Sequence, residues 1–331
     1  MNEWLSNKFK WLSFVATWAV VGIHAWNGKW VAEVDWATRV EDLIPFDFAV
    51  PLFFVISGFF FVSSYDKCAN GGGHFFLRKI RSLYVPAVLW ILVSLLVCTP
   101  IRIYSGHNIP TLWRIPGAFV LWVDHGEAGH FWYVRSLLFL FACAPTLRIL
   151  ARRWYAASVV ILFFAFIPIP GINSIFGSYD LFKEIEVAIP FFLLGAVLAS
   201  TPLCLAAINK CSRFALAFSL VGLVLSFLPN WTALRFGQIL FLWGLYDVLD
   251  RIHPIPKMPR CLSGHFFVFC VHLMVIGWVA GTLRVTLGTG PVARLVAYFA
   301  SIMTFWFDLL LANLVARHFP RVYAVLSGGR M

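Results

Sequence analysis

The chain has 331 residues, of which 61% are hydrophobic and only 12% charged, with a net charge of +11. A soluble domain of this length carries about 25% charged residues, so a large water-soluble core is excluded. Continuous apolar runs, rather than alternating ones, argue against a β-barrel. The expected fold is all-α, a polytopic membrane helical bundle of about ten transmembrane helices in one domain over residues 1–331. The spans are placed at 10–28, 45–65, 83–101, 130–148, 154–172, 185–201, 212–229, 233–250, 262–283 and 293–316.

The first run ends in Val20–Trp26, "VVGIHAW". No small-residue cleavage pattern follows it, so it is read as a retained helix. His24 lies about four residues from its outward end, roughly 6 Å below the interface at the α-helical rise. A neutral imidazole in that apolar setting suits general-base work on a hydroxyl, although a packed core histidine has the same signature.

The second run, "PFDFAVPLFFVISGFFFVSS", opens with Asp47, where the helix dipole favours a carboxylate. Its Ser57–Gly58 pair allows another helix to approach closely. After it comes "NGGGHFFLRKIRSLYVP", read as a flexible glycine turn and a basic segment. On a helical turn Arg78 and Arg81 stand at i, i+3 and together suit a phosphorylated ligand. Plain topology charge is the competing account of both.

The longest outward connection, 103–134, holds an apolar stretch too short to span and broken by Pro116 and Gly117, as an interfacial or re-entrant segment would be. His130 opens the fourth run, and Arg135 follows inside it, where an arginine needs a cavity, a partner or a snorkelling route. Regular helical geometry sets positions 130 and 135 roughly 140° apart. Glu184 and Glu186 begin the sixth run, His272 lies inside the ninth, and Asp308 is a carboxylate within the tenth. Taken together, these groups outline a polar cavity at the outward ends and interiors of several helices.

Lysine and arginine settle the expected orientation. One set of alternating connections carries 17 and the other carries 8, so the richer side, with both termini, is expected in the cytoplasm. The basic excess therefore reads as a topology signal, and no basic face with a groove-reading context points to nucleic acid. The seven cysteines form no C-x-x-C pair and no cluster with histidine, so neither a metal site nor a disulfide framework is expected.

The order "VVGIHAW", "PLFFVISGFFF", "FLRKIRSLYVP", "HFWYVRSLL", "PFFLLG" and "FCVHLMV" resembles the integral-membrane acyltransferase-3 family across nearly the whole chain. The resemblance implies an enzyme of the cell membrane that O-acylates, often O-acetylates, a hydroxyl of an extracytoplasmic saccharide or glycan. The acyl group would come from cytoplasmic acyl-CoA, acetyl-CoA being the usual donor, as a co-substrate with no tightly bound cofactor. It places the catalytic base or acyl relay on His24 and donor use on Arg78 and Arg81. Asp47, His130, Arg135, Glu184, Glu186 and His272 are left to the acceptor or cavity.

Many members carry an arginine eleven residues before the histidine, where this chain has Ser13. Members often have aspartate before "LFF", where this chain has Pro51. Partners are then acyl-CoA, the saccharide acceptor and membrane lipid, with a homo-oligomer left open. The alternative is a transporter or flippase for a lipid-linked saccharide. Such folds often carry paired repeats, and none is evident.

Overall fold

A computed structural model describes residues 3–26, 46–68, 71–104, 119, 126–166, 181–201, 214–225, 231–288 and 290–329. Among these residues the fold is all-α, with no strand. Helix α1 is Glu3–Trp26; a 3-10 turn, Phe46–Phe48, leads into α2, Ala49–Asp66. Helix α3, Gly71–Lys79, passes through a π-helical turn, Ile80–Tyr84, into α4, Val85–Tyr104. The 3-10 turn Gly126–Phe131 precedes α5, Trp132–Ala142, followed by α6, Ala144–Arg152, and α7, Trp154–Phe166. Then come α8, Leu181–Ser200; α9, Ala215–Leu225; and α10, Trp231–Ile252. The last are α11, His265–Leu287; α12, Pro291–His318; and α13, Pro320–Leu326.

Among the described residues four helices are long and apolar enough to cross a membrane: Ala49–Asp66, Gly72–Cys98, His265–Leu287 and Leu295–His318. A fifth arises if Gly129–Ala142 and Ala144–Arg152, bent by 74°, count as one broken span. The expectation of about ten spans takes in runs that lie partly outside the described residues, such as 10–28, 154–172 and 212–229, and proline alters the helices within two of the others. Pro145 sits in the first turn of α6, where it cannot donate to the carbonyl of Phe141. Pro190 lies inside α8 and leaves the Glu186 carbonyl without its helical donor.

The segment read as a glycine turn is helical instead. Gly71 to Gly73 form the first turn of α3, and a Cβ on Gly72 would stand 3.3 Å from the Pro145 ring. The absence of a side chain is used for close packing there. The π-helical turn that follows has an equally local cause. The Val85 N–H bonds to the Ile80 carbonyl, five residues back, and Pro86 next to it has no N–H for the regular bond to Ser82.

The chain forms two compact units. The first comprises Met1–Ala16, Asp47–Arg78 and Ser136–Met258. Its tightest crossing is between α2 and α8, where each helix offers a glycine to the other's backbone. A Cβ on Gly58 would run into the Phe192 carbonyl, and one on Gly195 into the Val55 carbonyl. The close approach anticipated for Gly58 is thus present, and it is reciprocal. Phe61 sits beside this crossing with Phe75, Phe141 and Phe192 around it, at ring separations of 5.7, 6.2 and 5.3 Å.

Neither backbone has a side chain that can yield, so Gly58→Ala must push the helices apart. We expect a loss of about 1–3 kcal/mol, the usual scale of overpacking, measured as a lower detergent-extracted melting temperature. Gly73→Ala serves as the control, because a Cβ there meets nothing within 4 Å. Equal stability of the two variants would mean that α2 and α8 do not cross at Gly58.

Polar ties complete this unit. Arg148 binds Asp66 through two parallel bonds of 2.8 and 2.7 Å and reaches Ser200 at 3.1 Å. Lys8, wholly buried, pairs with Asp247 at 2.7 Å and lies 3.8 Å from the Trp243 ring centre.

The second unit comprises Thr17–Phe46, Lys79–Arg135 and Pro259–Met331. Helices α11 and α12, joined by a short connection, form its main hairpin. Gly264, just before α11, faces Ala312 and Leu309 of α12, as an antiparallel pair requires. Trp90 of α4 packs edge-on against Phe267 at 5.0 Å and donates its indole N–H to the Leu326 carbonyl at 3.1 Å. Phe267 also stacks on Tyr323 of α13 at 5.7 Å. The base of α11 is thereby fixed on both sides.

Candidate active site

Three of the residues expected at the site meet in the second unit. His272 stands on α11 with 0% exposure. His24, in the last turn of α1, is half-buried, and its ring centre lies 5.1 Å from that of His272 at a tilt of 44°. His130 closes the 3-10 turn before α5, is 3% exposed, and lies 5.0 Å from His272. His272 is therefore the ring that both others touch.

The local sequence explains the arrangement. Phe269 and His272 are i, i+3 on α11 and share a face, so His130 meets both, with Phe269 at 5.3 Å. Phe131 and Tyr133 flank the same Phe269 ring at 6.1 and 5.7 Å. An aromatic wall thus holds His130 and His272, while His24 is less completely buried.

Hydrogen bonding distinguishes the two nitrogens of His272. Its Nδ1 is 2.8 Å from the Phe269 carbonyl and 3.3 Å from that of Val268. A carbonyl oxygen only accepts, so Nδ1 carries the proton, and in the neutral ring Nε2 presents a lone pair. That Nε2 is buried and has no hydrogen-bond partner among the described residues. Imidazoles so placed can take up, hold and return a proton. No group of three or more histidine, cysteine or acidic side chains has metal-holding geometry among the described residues.

The remaining expected residues are distributed more widely. Arg135 lies half-buried in the first turn of α5, at the end of its segment of the second unit. Arg78 belongs to the first unit, is exposed, and donates to the Ser64 carbonyl at 2.8 Å. Arg81 belongs to the second unit, is also exposed, and is carried by the π-helical turn rather than by the regular turn assumed from spacing. Asp47 falls in the 3-10 turn before α2, and Glu184 and Glu186 fall in α8. The side chains of these three acids lie outside the described residues.

Asp308 is buried in α12, and both its oxygens are without a hydrogen-bond partner among the described residues. It shares a helix face with Ser301 and Thr304, both buried. The sequence suggests a shared polar cavity for such groups, but nothing in positions as far apart as His24, His130 and His272 announces that their rings meet.

Comparison with known families finds one that accounts for these features. The acyltransferase 3 family, described as an acyltransferase domain, matches residues 7–312. No curated protein and no solved structure matches the chain. That match takes in His24, His130, His272 and the helices that carry them, together with apolar helices long enough to span a bilayer. The chain therefore belongs to the acyltransferase 3 family and is an integral-membrane acyltransferase.

Proposed function

We propose that the protein moves an acyl group, in the first instance acetyl, from cytoplasmic acyl-CoA to a hydroxyl of an extracytoplasmic saccharide or glycan. The observation that carries this reading is the contact of His24 with His272 inside an apolar helical protein of an acyltransferase family. A sugar hydroxyl is a weak nucleophile until a base assists it, and His24 is the least buried of the three histidines. In the reaction His24 takes the hydroxyl proton as the new C–O bond forms at the acyl carbon. The C–S bond breaks, CoA leaves as a thiolate, and the proton returns to that sulfur. Net charge and atoms balance without a further reactant.

The setting is the cell membrane, with about ten crossings and both termini in the cytoplasm, as the basic connections favour. Arg78 and Arg81 are both exposed, and their guanidinium groups suit the phosphates of CoA. His130, which meets His272 in the same unit, is assigned to the acceptor side together with Arg135.

Mass spectrometry of surface glycans from a deletion strain tests this function. Loss of a mass equal to one acyl group, restored by the wild-type gene, is the expected result. Loss of whole glycan from the surface supports a transporter or flippase instead. Complementation by the Arg78→Lys/Arg81→Lys variant should insert normally yet restore little acylation, since lysine keeps the charge but not the planar fork. Full restoration returns both arginines to a topology role.

A further inference from the structure

The neighbour of His24 has a capacity that the transfer reaction can use. His272 is locked through Nδ1 to backbone carbonyls of its own helix, so its ring orientation and tautomer are set by α11 and not by a ligand. What remains is Nε2, an acceptor enclosed in the protein with no donor among the described residues. A buried acceptor left unmatched carries a desolvation cost, which a donor in the working state removes.

Two rings are close enough to supply one. A centroid separation of 5.1 Å brings facing ring nitrogens within about 3 Å when the rings turn edge to edge, the range of a hydrogen bond. His130 is held edge-on at 71° and enclosed by Phe131 and Phe269. His24, in the last turn of α1, is the least buried of the three rings, so it is the one whose ring turns in this proposal.

We propose that His272 is a positioning residue for His24: its Nε2 accepts the N–H of one His24 nitrogen, so the other presents its lone pair to the acceptor hydroxyl. The inference rests on the reading of His24 as the base. It gives the histidine pair the logic of a base and its orienting partner. A neutral orienting group also avoids placing a carboxylate in an apolar interior. When His24 takes the hydroxyl proton, both its nitrogens carry hydrogen, and the one facing His272 stays bonded while the other returns its proton to the thiolate.

Asparagine and glutamine at position 272 separate this role from packing. The amide N–H of Asn reproduces the Nδ1–H that satisfies the Phe269 carbonyl, but Asn has nothing at Nε2. The Oε1 of Gln reaches the Nε2 position and accepts there. The deletion strain is complemented with each full-length variant, and acyl mass added to the glycan in a short pulse is measured per inserted protein. Positioning predicts that His272→Asn loses about 10–100-fold, the scale on which removing a histidine's orienting partner acts, whereas His272→Gln recovers about tenfold of that loss. A packing role predicts the opposite order, with Asn at least as active as Gln.

Near-wild-type transfer by His272→Asn overturns the proposal on its own, so the test survives failure of the Gln variant to insert. Adding His272→Asn to His24→Gln should cause no further loss, because the two act as one unit; a full additional loss also overturns it. The two readings fail differently. Transfer that survives His24→Gln removes the base assignment itself, whereas a dead His24→Gln beside an active His272→Asn removes only the positioning role.

Discussion

Replacing His24 by glutamine should lower acyl transfer by about 10²–10⁴-fold, the contribution a positioned base makes to deprotonating a hydroxyl. Glutamine has comparable bulk and keeps a donor and an acceptor, but it has no nitrogen that titrates. His24 is only half-buried in the last turn of α1, so the change removes little packing. Expression, insertion and melting temperature should therefore stay near wild type while product falls. The measurement is acylated glycan per unit of inserted protein, set beside detergent-extracted stability of the same preparation. Normal insertion with near-wild-type product makes His24 a packing residue. Joint loss of fold and product calls for His24→Asn, a smaller amide, as a second replacement that inserts; transfer by that variant at the wild-type rate also sinks the base assignment.

The sequence made the class of the fold legible because hydrophobic length is a direct physical demand of the bilayer. It was a poorer guide to where helices break. Pro145 lies within an apolar run at the 74° bend, and hydropathy does not register a missing N–H. The triple glycine at 71–73 carries the usual sign of a turn, yet tertiary packing against Pro145 overrides that local preference. Gly58 was readable as a contact residue because a small side chain in an apolar span has few other uses, but its partner Gly195 was not, since choosing among glycines needs the crossing geometry.

Site residues followed the same division. A histidine or arginine inside an apolar run is conspicuous by its cost, which marked His24, His130, Arg135 and His272 individually. Their juxtaposition is a product of topology, which sets the part of α1 from Thr17 onward, the turn before α5, and α11 side by side in one unit. Lys8 is hidden for a related reason. It precedes the span placed at 10–28 and so falls among the 17 basic residues of the richer side, although Leu5, Phe9 and Leu12 around it form the buried face of α1. A lysine at i+3 from one core residue and i−4 from another was the available signal, with Asp247 inside "LWGLYDVLD" as its counterpart.

That buried pair carries the largest expected effect on stability. Lys8→Met keeps most of the apolar length of the side chain and removes the ammonium group. Asp247, 3% exposed, then loses the cation 2.7 Å away, and Trp243 loses the charge over its ring. Breaking one side of a buried pair typically costs about 3–5 kcal/mol, because the remaining charge stays enclosed and uncompensated. We expect a clear fall in melting temperature and in inserted protein, with transfer per folded molecule unchanged, since Lys8 takes no part in the chemistry proposed for His24.

The double variant Lys8→Met/Asp247→Leu decides the cause. Removing both charges leaves an apolar contact of similar volume, and such replacements are often neutral or stabilising, so most of the loss should return. A double variant as unstable as Lys8→Met alone would assign the loss to packing against Trp4 and Trp243, whose rings surround the ammonium at 5.1 and 3.8 Å. A Lys8→Met single variant as stable as wild type would show that the pair does not form. The predicted recovery follows from the electrostatics of enclosure: in this part of α1 and α10 each charge is tolerated because the other is present.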